Sequence, residues 1–187
     1  GSVTPQQMNR RRLGRQTPMS IERLLRLDRA PSATYQTLRR TVSRGVEIEA
    51  LEIPSASQVY LPAWLFLPRP VRNARPVIIV LDPSGRNTDW HEGELYQNLA
   101  LLGFAVLVPD LRGIGDMLPE MGPGNARHAR SHNDEEAYAW AGLILGKPLI
   151  GQRVSDILAV IRATRAHPAL QSRPVVLAAQ GRLTVPA

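Results

Sequence analysis

The 187-residue chain has no cysteine, which excludes disulfides, thiolate metal sites and a cysteine nucleophile and says nothing about redox compartment. Lysine is nearly absent, Lys147 being the only one, so arginine carries the net charge of +7. Aromatic residues make up 5% of the chain, which leaves few candidates to line a pocket. Trp90, Tyr138 and Trp140 are the ones near predicted sheet edges, where core packing is the commoner role. Long apolar runs are missing too. Val77–Leu81 and Phe104–Val108 fall far short of the roughly 20 residues that span a bilayer, so no membrane partner is expected.

What is present is an ordinary globular composition, 43% hydrophobic with 16 prolines and 14 glycines, enough for one core or two small ones. The densest basic cluster, Arg10, Arg11, Arg12 and Arg15, lies in a Gln/Asn/Thr/Pro-rich terminal stretch. Elsewhere the arginines are interleaved with acidic residues. The bland reading is a tail with solvated helix faces, and no nucleic-acid partner is expected. Gly1-Ser2 reads as an expression scar, so the compartment stays open, with a secreted or periplasmic one favoured.

Residues 1–18 lack periodicity and are read as a disordered tail. Residues 19–45 are read as N-terminal helices, one from Ser20 and one from Ser32, the second with Tyr35, Leu38 and Val42 on one face and Gly45 as its stop. From residue 46 to 187 the pattern is that of an α/β domain. Val46, Ile48 and Ala50 alternate, as do Val59, Leu61, Ala63, Leu65 and Leu67, with Pro54–Ser57 as the turn of an antiparallel pair. Three continuous apolar runs follow, Val77–Leu81, Ala105–Val108 and Val175–Ala179, as suits parallel strands buried between helix layers. Helical stripes separate them: Leu95, Leu99 and Leu102, then Ile150, Val154, Ile157, Leu158 and Ile161, closed by His167-Pro168. Leu118–Asp134 reads as a long surface excursion near a site.

In such sheets the chemistry sits beyond the carboxyl ends of the strands. The first end, Asp82-Pro83-Ser84-Gly85-Arg86, is a tight turn able to aim a backbone N–H across the sheet top. The second, Asp110-Leu111-Arg112-Gly113-Ile114-Gly115, allows Asp110 and Arg112 to pair and brace a loop, and it lacks the third glycine of a dinucleotide fingerprint. The third, Val175–Ala179 followed by Gln180 and Gly181, has the shape of a nucleophile elbow, with Gln180 at the nucleophile position and Gly181 supplying the next N–H. No G-x-S-x-G occurs in the chain, and a carboxamide nitrogen is a poor nucleophile because its lone pair is delocalised. His128, His132 and Asp134 only loosely match metal-ligand spacing, so no metal and no cofactor is expected. His91 and His167 read as surface or helix-end residues. The acid and base of a triad would follow the nucleophile in chain order, and only seven residues follow Gln180.

These stretches resemble the acetyl xylan esterase and dienelactone-hydrolase-like branch of the α/β-hydrolase superfamily. The resemblance rests on Tyr60–Pro68, Pro76–Leu81, Gly103–Gly115 and Leu145–Leu158, and it runs from about residue 46 to the end. It implies the N-terminal part of an α/β-hydrolase sheet, an antiparallel strand pair and then parallel strands with flanking helices. It implies carboxylic-ester hydrolysis of a small ester or acetylated carbohydrate by a serine, a histidine and an acid. On that pattern Gln180 takes the nucleophile position, and Gly181 with Ser84 or Gly85 lines the oxyanion hole. With the serine replaced, the expectation is a hydrolase impaired in serine chemistry; the rival is a pseudoenzyme that binds carbohydrate or acyl ligands. The unpaired sheet edge implies a need for a C-terminal partner segment or a homo-oligomer.

Overall fold

The computed structural model describes residues 20–29, 31–32, 34–69, 75–119 and 134–187. The tail at 1–18 and the histidines His128 and His132 lie outside them. After a five-residue helix, α1 (Ile21–Leu25), three antiparallel strands follow: β1 (Gln36–Ser43), β2 (Val46–Ala56) and β3 (Val59–Pro68). Next come β4 (Val77–Leu81), α2 (Leu95–Leu101), β5 (Ala105–Pro109), α3 (Asp134–Ile144), α4 (Leu149–Ala166) and β6 (Val175–Ala179). The six strands form one mixed sheet in the order β1-β2-β3-β5-β4-β6, with β5, β4 and β6 mutually parallel. No helix among the described residues is long and apolar enough to cross a membrane.

The expected second N-terminal helix is a strand. Tyr35, Leu38 and Val42 do fall at helical spacing, but β1 is an edge strand whose Leu38 and Val42 remain exposed. Its Cα register with β2 runs from Gln36↔Glu52 to Ser43↔Val46. Gly45 is therefore no helix stop. Arg44 and Gly45 both take positive φ, 48° and 79°, as the two central residues of a type I′ hairpin turn require. Pairing with a distant strand overrides local spacing on so exposed a segment. The β2–β3 turn also shifts: β2 continues through Pro54 to Ala56, and Ser57-Gln58 makes the reversal, with Gln58 left-handed at φ 60°.

The sheet separates two cores. On one face Leu51, Ile53, Leu61, Leu65, Ile79 and Leu107 pack against Ile157, Val160 and Ala163 of α4. On the other, Val46, Phe66, Val106 and Val108 pack against Tyr96 and Ala100 of α2. The inward faces match the leucine and isoleucine stripes only in part: Leu99, Ile157 and Ile161 pack against the cores and the other members do not all follow. In α2, Leu95 and Leu102 are exposed, while Tyr96, Gln97 and Ala100 are buried. In α4, Ile150 and Leu158 are partly open, whereas Gln152, Arg153, Ser155 and Asp156 are buried. Periodicity ranks polar residues as outward, and it cannot register buried polar groups that have partners. Gly151 of α4 shows how closely the N-terminal segment docks. A Cβ there would lie 1.7 Å from the carbonyl oxygen of Leu25, so only glycine admits that backbone.

Candidate active site at the strand ends

The three parallel strands end side by side, and short hydrogen bonds knit the turns that follow them. Beyond β4, the Asp82 carboxylate accepts the Ser84 N–H at 2.7 Å through one oxygen and the Gln180 side-chain amide through the other. Because a carboxylate only accepts, the nitrogen of the Gln180 carboxamide must face it. The Gln180 backbone N–H donates to the Leu81 carbonyl at 3.3 Å, and the Gly85 N–H to the Asp82 carbonyl at 3.1 Å. Thus Ser84, Gly85 and Gln180, three of the residues singled out from sequence, meet around one aspartate. The Ser84 and Gly85 amides are spent inside the turn in this arrangement.

The turn after β6 bends at Gly181. Gln180 has φ −127° and ψ 160°, ordinary extended backbone, whereas Gly181 takes φ +55° and opens a 3-10 turn, Gly181–Thr184. The backbone strain of a nucleophile elbow is therefore absent from Gln180. Two anchors hold this turn: buried Leu183 in the main core, and Arg182, which donates to the Pro83 carbonyl at 3.3 Å and pairs with Glu135 at 2.8 Å.

Asp110 and Arg112 do not pair with each other. Asp110, fully buried, accepts the Arg86 backbone N–H at 2.6 Å and the Asp116 N–H at 3.1 Å, and pairs with the Arg86 guanidinium at 2.9 Å. It thereby ties the turn after β4 to the loop after β5. Burial pushes its carboxyl above the ordinary range, against the pull of those amides and of Arg86. The packing is so close that a Cβ on Gly115 would sit 2.4 Å from the Asp110 carboxylate oxygen, and Gly115 takes φ +54° besides. Arg112 points the opposite way. It donates to Asp156 of α4, to Asp28 at 2.7 Å and to the Gln152 carbonyl at 2.8 Å. Opposite charges two residues apart suggest a local pair, but the turn at 112–113 sends the side chains to different sides.

A cleft of about 250 Å³ opens beside Gln180, with Asp82, Asp89, Leu95, Tyr96 and Ala179 among its walls. The Tyr96 hydroxyl is buried there without a hydrogen-bond partner. Burial, and then the charges of Asp82 and Asp89, push its pKa well up, so the phenol stays neutral and keeps a proton to donate. No serine, histidine, cysteine or lysine lines this cleft. His91 is an exposed loop residue, whereas His167, at the end of α4, is buried against Glu49 at 3.4 Å and does not line the cleft. Of the aromatics, Trp140 is exposed and Tyr138 donates to Gln152 at 2.8 Å. Among the described residues no group of three His, Cys, Asp or Glu side chains is placed to hold a metal.

Sequence reasoning missed Tyr96 and Asp156. A charged residue at position 156, inside a helix with apolar neighbours on its inward face, was the available signal for the second; nothing local marks the first.

No family model matches the chain, and no curated protein matches it in sequence. Solved structures do resemble it. A protein assigned as an acetyl xylan esterase from Bacteroides fragilis superimposes with a TM-score of 0.69 at 15% identity, over 88% of this chain and 46% of its own. Acetyl xylan esterase 1 from Thermoanaerobacterium gives 0.60 at 17% identity, over 88% and 51%. Acetyl xylan esterase from Paenibacillus gives 0.59 at 13%, over 90% and 59%. The chain thus spans about half the length of these structures. At such identities the likeness speaks to fold and leaves activity open. Strand order, the parallel β5-β4-β6 set with its helices on both faces, and these superpositions together place the chain in the α/β-hydrolase fold.

Proposed function

We propose that this protein is an esterase-type α/β-hydrolase homologue whose strand-end site is impaired in serine chemistry. One observation carries the reading: at the end of β6, where the fold presents its nucleophile, the side chain is a carboxamide tied to Asp82. Two registers of the elbow lead to the same chemistry. Counted from the end of the strand, Gln180 takes the nucleophile position and Gly181 supplies the following N–H. Counted back from Gly181 as the last glycine of G-x-S-x-G, Ala179 takes it and Gln180 follows. Neither residue can form an acyl-enzyme. The purified chain is therefore expected to hydrolyse 4-nitrophenyl acetate no faster than an equal mass of unrelated protein. Turnover well above that control, abolished in Gln180→Ala, would overturn the reading.

A second reading, a pseudoenzyme that binds acyl or acetylated carbohydrate ligands, draws support from the unpartnered Tyr96 hydroxyl beside the cleft. A buried donor with no acceptor is costly, about 1–3 kcal/mol, and a ligand carbonyl would relieve it. That reading expects saturable binding without turnover, weakened in Tyr96→Phe.

We also propose that a partner segment or a second copy completes the sheet. β6 pairs only with β4 among the described residues, and Val176, Leu158, Ile144 and Leu145 are exposed. Open strand edges beside apolar surface favour association. The 187-residue chain alone is expected to sediment as dimers or larger species. A monodisperse monomer with a single cooperative melt would count against it.

A further inference from the structure

The face of the sheet covered by α2 is only half covered. α2 lies over β3 and β5 and reaches β2 at its Val46 end; over β1, and over the part of β2 around Ala50, no helix packs on this face among the described residues. There the strand register lines up Arg39, Ala50 and Trp64 in one row across three strands, with Thr41 and Ile48 in the next. The small Ala50 between two long side chains makes the floor dip. The segment between β4 and α2 supplies the wall: Trp90 stacks on Trp64 with ring centroids 5.5 Å apart and planes within 6°. The result is a groove of about 350 Å³, closed on its far side by His91 and Glu92, within the size range of small-ligand sites. It shares no wall residue with the strand-end cleft.

The aromatic pair is held rigidly. The Trp64 indole N–H donates to the Asn87 side chain at 2.8 Å, and the Arg86 guanidinium sits 5.4 Å from its ring centre. Trp64 is thereby occupied, while Trp90 is 38% exposed. On a folded chain so large an indole on a short loop would ordinarily turn inward. Around it the polar groups are uncommitted or balanced. The side chains of Arg39 and Thr41 make no hydrogen bond or ion pair among the described residues. Glu92, already bonded to Ser43 and paired with Arg44 at 3.4 Å, keeps acceptor capacity.

We propose that this groove is a saccharide-binding site, taking a neutral pyranose ring against Trp90 and over Ala50. A pyranose has an apolar C–H face and a rim of hydroxyls. The groove offers the complement of both: the exposed part of the Trp90 indole, which is flanked by Trp64 and by the His91 ring at 5.0 Å, and an apolar floor inside a rim that mixes donors, Arg39 and Thr41, with an acceptor, Glu92. The site stands apart from the strand-end reading and survives its failure.

The test is a titration of the whole chain with cellohexaose and with xylohexaose, up to about 10 mM so that millimolar affinity is resolved. Binding is read by tryptophan fluorescence and by calorimetry. At least one sugar is expected to saturate. Trp90→Ala is expected to weaken it roughly tenfold, the scale of one aromatic contact, with Trp90→Phe intermediate and Trp140→Phe, on α3, without effect. Arg39→Ala, a change on an exposed edge strand that the fold tolerates, is expected to weaken it about fivefold or more, the scale of a hydrogen bond to a charged group. This second variant decides the matter if Trp90→Ala misfolds by circular dichroism. No saturation with either sugar, or equal affinity in folded Trp90→Ala or in Arg39→Ala, overturns the proposal.

Discussion

Asp156→Ala is expected to remove about 3–5 kcal/mol of folding stability, the range for breaking one partner from a buried ion pair. Asp156 has no exposed surface and holds four donors. Its carboxylate accepts the Arg112 backbone N–H at 3.0 Å, the Arg112 Nε at 3.0 Å and Nη2 at 2.9 Å, and the Ser55 hydroxyl. That one side chain joins α4, β2 and the loop after β5. Without it, the Arg112 guanidinium stays in a dry site with Asp28 as its remaining carboxylate, and the Ser55 hydroxyl and an amide lose their acceptor. Urea unfolding followed by circular dichroism measures the loss. A double replacement, Arg112→Met with Asp156→Leu, is expected to recover a share of it, because no guanidinium is then left buried beside a missing partner. A loss below about 1 kcal/mol in the single variant, the scale of an exposed pair, would show that the network is not closed to water.

Asp110→Ala should be similarly severe, and its damage should be local to the candidate site. The carboxylate is the common acceptor of two turns, and Arg86, only 13% exposed, loses its buried partner with it. Hydrogen exchange should accelerate first at the Arg86 and Asp116 amides, with the total loss again about 3–5 kcal/mol. Gly115→Ala should injure the same knot from the other side, since its Cβ would strike that carboxylate and its φ of +54° suits glycine. Because the two changes meet at one contact, their combined cost should fall short of the sum. Asp116→Ala is the control. Its side chain is 58% exposed where it pairs with Arg86, so about 1 kcal/mol or less is expected. Unchanged exchange at residues 86 and 116 in Asp110→Ala would remove the brace from the account.

Several parts of this architecture were legible in advance because they depend on local patterns. Continuous apolar runs at Val77–Leu81, Ala105–Val108 and Val175–Ala179 became the parallel strands; β4 and β5 are covered on both faces, which needs apolar residues at every position, whereas β6 leaves Val176 exposed. The alternation after Val46 and Val59 became an antiparallel pair. The turn residues Ser84, Gly85, Gln180 and Gly181 were correctly located at strand ends, as turn chemistry is also local.

Other features were beyond reach of one-dimensional pattern. Tyr35, Leu38 and Val42 sit at helical spacing and not at the alternation of a strand, and only pairing with β2 makes this segment an edge strand. In α4 the inward face carries Gln152, Arg153 and Asp156, whose burial is affordable because Arg112, Gly113 and Lys147 meet them from elsewhere in the chain. The separation of Asp110 from Arg112, the bond that turns Gln180 toward Asp82, and the stacking of Trp64 on Trp90 are likewise contacts between residues far apart in order.

By itself, then, the order of residues determined which segments are strands of a buried sheet and that no serine stands at the end of the last one. The tertiary structure alone decided which polar groups are buried, what satisfies them, and which aromatic is left facing solvent. The physical reason is range. Backbone preference and apolar period act over a few neighbours, whereas the cost of burying a charge or leaving a donor unpaired depends on groups that meet only once the chain has folded.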